Sequence, residues 1–162
     1  RRAAAHYYVR SGTLARLGDL KPRVLAALEG GALGAGCELE ATWVAAPYAE
    51  LVHNGTLGAR YAAHAGTLGR AVAGPEQAHQ TVGSTDMGNI SLLVPSIHPT
   101  IAAAPAGSSI HTEAFAEAAL APGGDAAVLD GAKALAGVAV ELWSDPALVA
   151  AAQAEWRAAR AR

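Results

Sequence analysis

The chain has 162 residues, of which 52% are hydrophobic and 16% charged, with a formal net charge of −2. That balance excludes a disordered polyelectrolyte, and without a basic cluster it argues against nucleic acid as a partner. No apolar run approaches the roughly 20 residues of a membrane-spanning helix, so no membrane partner is expected. A single cysteine, Cys37, leaves no intrachain disulfide and fits a reducing, cytoplasmic setting. The opening RRAAAHYYVR has no apolar core of a secretory leader. It also lacks an initiator Met and starts abruptly in a strand-like run, so the chain is expected to be a piece of a longer protein.

Residues 5–10, AHYYVR, are aromatic and β-branched and predict a strand. Leu14, Leu17, Leu20, Val24, Leu25 and Leu28 then recur at three- and four-residue spacings, the pattern of a helix burying one face. Pro22 lacks an N–H and clashes with the preceding turn. Either the helix kinks there or it starts near Asp19 with Pro22 in its first turn. Cys37, Leu39, Ala41 and Trp43 alternate with their neighbours and predict a second strand over 37–45. The first third therefore reads β-α-β. The intervening GGALGAG is not a G-x-G-x-x-G turn and follows a helix instead of opening one, so it is not read as a phosphate loop.

Asn54 is an N-cap for a helix running to about Leu68. Residues 70–82 read as a loop in which His79 is a solvated side chain. The runs 90–94 and 97–103 are apolar enough to be neighbouring strands of one buried sheet, with Pro99 restricting the second to an edge or a strand end. Pro122-Gly123-Gly124-Asp125 is a turn and cap. Val128, Leu129, Ala132, Leu135, Ala136, Ala139, Leu142 and Trp143 follow as an apolar stripe. Asp145 and Pro146 restart a last helix as N-cap and N1.

The polar residues gather in the stretch from Gly83 to Ala119. Its segments GSTDMGNISLLVP and HTEAFAEAA resemble the C-terminal part of the M20 metallopeptidase/amidohydrolase family, in the branch of dipeptidases and aminobenzoyl-glutamate hydrolases. In that family the His of an H-[ST]-x-x-[FY] segment ligates one zinc of a dinuclear centre. The corresponding residue here is His111. The resemblance spans nearly the whole chain but only the last part of the family's length.

That resemblance implies an α+β or α/β architecture in two parts. Residues 1–53 would be half of a ferredoxin-like lid through which the protein forms a homodimer, and 54–162 the C-terminal part of a zinc-peptidase-type catalytic domain. It implies two zinc ions in the intact enzyme, with cobalt or manganese as substitutes. The substrate would be a small peptide or N-acyl amino acid, its amide attacked by metal-bound hydroxide. Ser84, Thr85 and Asp86 would face substrate, although Ser, Thr and Asp beside Gly also build a turn. His98, in an Ile-His-Pro segment, would face substrate or support the metal. Glu113 or Glu117 would orient the imidazole of His111, or be solvated helix residues. Some relatives carry an arginine for the substrate carboxylate before Asn54, whereas this chain has none between Thr42 and Ala59. The H-x-D and Glu-Glu motifs for the other metal ligands and the general base are also missing. The chain alone is thus expected to hold no catalytic residue and to be inactive. Two other classes remain open at this point: a non-catalytic dimerisation remnant, and a metal-free α/β domain that binds a small molecule.

Overall fold

The computed structural model describes residues 2–74 and 84–160, which form six helices: α1 (Leu14–Gly34), α2 (Gly55–Thr67), α3 (Met87–Ser91), α4 (Glu113–Ala119), α5 (Pro122–Ser144) and α6 (Pro146–Arg160). The chain divides into two units, Arg1–Leu51 with Ser84–Asn89 and Val52–Gly83 with Ile90–Arg162. Among the described residues no single helix is long and apolar enough to cross a membrane.

In the first unit, α1 begins where the Thr13 hydroxyl accepts the Arg16 N–H and Glu50 Oε2 accepts the Leu14 N–H at 2.9 Å. The helix starts at Leu14, not near Asp19, and continues through Pro22. None of the α1 leucines is fully buried. The Lys21 ammonium lies 4.4 Å from the Trp43 ring centroid, a cation–π contact that draws the extended run 37–45 towards the helix.

The expected α+β and α/β architecture is overturned. Among the described residues there is no strand, and the only ladder contact is one isolated parallel bridge, His53 to Ser96. Residues 5–10 and 37–45 do not pair, so neither the half of a ferredoxin-like lid nor the α/β catalytic sheet is formed. A strand exists through hydrogen bonds to a neighbour, and an alternating pattern supplies the side chains without the partner. Where the first unit does anchor extended backbone, a side chain performs the task. Asn89 accepts the Ala49 N–H at 3.1 Å and donates to the Pro47 carbonyl at 3.3 Å. Gly88 lies so close to the Ala49 carbonyl that a Cβ there would collide with it.

The expected strand pair 90–94 and 97–103 is likewise absent. Ile90 and Ser91 end helix α3, and the Leu93 and Val94 N–H groups both turn back onto the Ile90 carbonyl. Residues 97–103 have no regular structure. Pro99 removes one donor from that run, and Arg70 Nη1 takes the Ala102 carbonyl at 3.1 Å.

The second unit packs α2 antiparallel to α5. Its core is built from Leu57, Tyr61 and Ala65 of α2, Ala134 and Val138 of α5, and Ala152 of α6. Half of these are alanines, which lets the helices approach closely. The His64 ring fills the space over Gly137, where a Cβ would lie 2.5 Å from Nδ1. Two ion pairs brace this helix pair: Arg60 grips Glu141 with two hydrogen bonds, and Arg70 Nε meets Asp130 Oδ2 at 2.9 Å. The Arg60 hydrogen bonds hold the Glu141 carboxyl below the usual carboxylate range, with partial desolvation opposing them.

The start of α2 ties in α6. The fully buried Asn54 accepts the Leu57 N–H at 3.0 Å and donates to the Ala152 carbonyl at 2.9 Å. Glu155 accepts the N–H groups of Gly55 and Thr56 at 2.6 and 2.8 Å. Trp156 Nε1 donates to the Ser91 carbonyl at 2.8 Å, and the Val52 N–H donates to the Ser91 hydroxyl at 2.9 Å.

Asn54→Ala should lower unfolding free energy by about 1–3 kcal/mol, since it removes a cap and the buried side-chain hydrogen bond to the Ala152 carbonyl. Thr112→Ala, at the cap of the short, exposed α4, should cost about 1 kcal/mol or less. Urea titrations of both variants check this, and equal losses would count against the Asn54 clamp.

The Glu155 carboxyl is held below its ordinary value of 4.5, first by the Thr56 side chain, with burial opposing and the Thr56 and Gly55 N–H groups adding to it. A carboxylate depressed by folding contributes stability above its unfolded pKa and loses it as pH falls through the folded value. Stability should therefore drop as pH falls from about 4.5. Glu155→Gln should be less stable at neutral pH and lose less on acidification. Parallel acid limbs for the two proteins would refute this role.

Candidate functional site

The first unit holds three of the residues singled out from sequence. Ser84 Oγ accepts from Arg10 Nη1 at 3.2 Å, and Thr85 Oγ1 accepts the Met87 N–H at 3.3 Å. The Thr85 carbonyl takes the Gly88 N–H at 3.2 Å, so this residue builds the turn that opens α3. Asp86 is exposed.

The second unit holds the two histidines. His98 is exposed in irregular chain, while its neighbour Ile97 packs against the core. His111 is exposed and stands two residues before α4. Thr112 separates the two: its hydroxyl accepts the Phe115 N–H at 3.2 Å and donates to the Ser109 carbonyl at 2.8 Å. Among the described residues His111 is the one non-glycine with positive φ, at 63°. This left-handed geometry crowds Cβ against the carbonyl and costs about 1–2 kcal/mol, somewhat less for residues such as His that tolerate it. The helix cap on one side and the turn at Ser109 on the other hold it there.

No group of three or more His, Cys, Asp or Glu side chains gathers for a metal among the described residues. Glu113 and Glu117 are exposed on α4. One imidazole does not make a zinc site, which takes three or four ligands, so the described residues do not by themselves fit the metal that the sequence resemblance implies. His79 lies outside the described residues.

Sequence reasoning missed the charged cluster on α2 and α5. His64 Nε2 lies 3.2 Å from Glu141 Oε1, beside the Arg60 pair, but without hydrogen-bond alignment. Arg60 and His64 share a helix face at four-residue spacing, which was readable from sequence. Their partner Glu141 lies far along the chain, and no local pattern announces it. The cluster borders a shallow cleft of about 270 Å³ with Ser144, Asp145 and Leu148. A second cleft, of about 480 Å³, lies between Arg70, Ala102, Pro105, Ala118 and Gly123. His98 and His111 line neither cleft.

No family model matches the chain. Over 152 residues it is 30% identical to the Xaa-Arg dipeptidase of Mus musculus, a match covering 93% of this chain and 35% of that protein. Over 146 residues it is 32% identical to the Xaa-Arg dipeptidase of Homo sapiens, covering 88% of this chain and 33% of the relative. The similarity is to dipeptidases. The chain spans about a third of the length of these curated relatives.

The strain at His111 can be read directly. His111→Gly should raise unfolding free energy by up to about 1 kcal/mol, because glycine accepts positive φ freely. His111→Ala keeps a Cβ and should give no such gain. Thermal melts of the two variants check this, and a destabilised glycine variant would mean that the ring makes contacts outweighing the strain.

Proposed function

We propose that this chain is part of a longer, metal-dependent dipeptidase-type hydrolase of the M20 family. The observation that carries the reading is the extent of the similarity: it runs through 93% of the chain and includes the segment around His111. The substrate class is a small dipeptide or N-acyl amino acid, and the relatives' name makes Xaa-Arg dipeptides the first to try. In this reading His111 is a ligand to zinc, or to cobalt or manganese in its place. Ser84, Thr85, Asp86 and His98 contact substrate. The strained backbone of His111 supports its role, because such geometry persists where the surroundings impose it and clusters at functional positions. The other ligands of such a site would come from residues outside this set, and the 162 residues by themselves would be inactive.

The test uses the whole polypeptide that its gene encodes. His111→Ala should lower bound metal and Xaa-Arg hydrolysis together, by at least the roughly 10–100-fold that follows loss of even a supporting partner. Far-UV circular dichroism should hardly change, since the residue is exposed. His79→Ala should leave metal content and turnover at wild-type levels. Full metal content and full turnover in His111→Ala would overturn the assignment.

A further inference from the structure

An asparagine side chain is lost spontaneously when the backbone nitrogen of the next residue reaches its Cγ. A following glycine, with no Cβ in the way, allows the closest approach. The chain has two asparagines, Asn54 and Asn89. Asn89 is exposed but precedes Ile90, whose branched side chain obstructs the attack. Asn54 precedes Gly55, the unobstructed case. Gly55 is also fitted to its place, since a Cβ there would lie 3.0 Å from Glu155 Oε1. The residue that lets Glu155 close on the start of α2 is thus the one that makes Asn54 vulnerable.

We propose that Asn54 is a deamidation site held shut by the α2–α6 junction, and that its reaction records, irreversibly, each long opening of that junction. The Gly55 nitrogen gives its proton to hydroxide and bonds to Asn54 Cγ. Nδ2 takes a proton from water and leaves as ammonia, which closes a five-membered succinimide. Water then opens the ring to aspartate or isoaspartate. In the closed junction both reacting groups are tied. The Gly55 N–H donates to Glu155 Oε1 at 2.6 Å. The Asn54 amide is 2% exposed, donates to the Ala152 carbonyl at 2.9 Å and accepts the Leu57 N–H at 3.0 Å. Gly55 itself is exposed, so water reaches the nucleophile, and the Glu155 hydrogen bond, not burial, restrains it. The product undoes the junction. A carboxylate at position 54 can still accept the Leu57 N–H, but it has no donor for the Ala152 carbonyl. It also places a second negative charge beside Glu155, which loosens that carboxylate's hold on Gly55 and Thr56. Nothing in this depends on the dipeptidase reading.

The test incubates the whole polypeptide that the gene encodes at mildly alkaline pH and follows aspartate and isoaspartate at position 54 by peptide mass spectrometry. Folded protein should react at least about 100-fold more slowly than the same protein in guanidinium chloride, because only the opened junction can cyclise. Glu155→Ala should speed the reaction of the folded protein by about tenfold or more. Glu155→Gln keeps one acceptor oxygen and should fall between, which guards against a misfolded alanine variant. Arg70→Ala breaks the pair to Asp130, away from this junction, and should change the rate by less than about threefold. Asn54→Asp reproduces the main product and should make the Gly55 and Thr56 amides exchange hydrogen about tenfold faster than in wild type. Equal rates in folded and unfolded protein, or no reaction at Asn54 in the unfolded one, would overturn the proposal. So would a Glu155→Ala rate no higher than that of Arg70→Ala, or wild-type hydrogen exchange in Asn54→Asp.

Discussion

The second unit depends on the way the first turn of α2 is satisfied. A helix begins with N–H groups that have no partner inside the helix. Here three in succession are met by side chains: Leu57 by Asn54, and Gly55 and Thr56 by Glu155. Glu155 comes from about a hundred residues further along the chain, and its negative charge sits at the positive end of the helix dipole. Asn54 uses its other end to hold the Ala152 carbonyl. One polar junction thus fixes α6 against α2, and the small apolar core of alanines, Leu57, Tyr61 and Val138 closes beside it. With so little apolar volume in that core, the polar junction and the two arginine–carboxylate pairs to α5 decide which helix faces meet.

The first unit shows the opposite balance. Its helix has no fully buried residue, and its extended runs leave aromatic and β-branched side chains in solvent. Side chains stand in for a sheet there: the Asn89 amide serves the backbone at Pro47 and Ala49 from both ends, and Lys21 covers Trp43. Alternation along 5–10 and 37–45 records which faces such runs could bury. It carries no information about whether a second strand lies alongside, and hydrogen bonding to that second strand is what makes a sheet.

The functional residues divide in a similar manner. His111 owes its place at the mouth of α4 to a local signal, the Thr112 cap followed by an alanine-rich turn, and that signal was readable. Its positive φ was not, since nothing in Ile110-His111-Thr112 demands a left-handed residue. The resemblance to dipeptidases also lives in the linear sequence. The pairing of His64 and Arg60 with Glu141, by contrast, became visible only when two helices far apart in the chain were brought together.

Sequence alone determined where several of the helices begin, although Pro122-Gly123-Gly124-Asp125, expected as a turn and cap, is the first turn of α5. Thr13, Asn54, Thr112 and Asp145 each cap the helix that follows, Pro146 stands at its start, and the apolar spacing after Pro122 runs the length of α5. These features rest on interactions within three or four residues, which a linear pattern records in full. The tertiary structure decided everything that needs a distant partner. It turned the apolar run at 90–94 into the end of a helix and a turn, since Thr85 caps the preceding residues and the Leu93 and Val94 N–H groups find the Ile90 carbonyl. It sent Glu155 to the start of α2 and left the outer face of α5 bare. A hydrophobic run states only that it will be buried; whether it becomes strand or helix, and against what, is settled by the groups that satisfy its backbone.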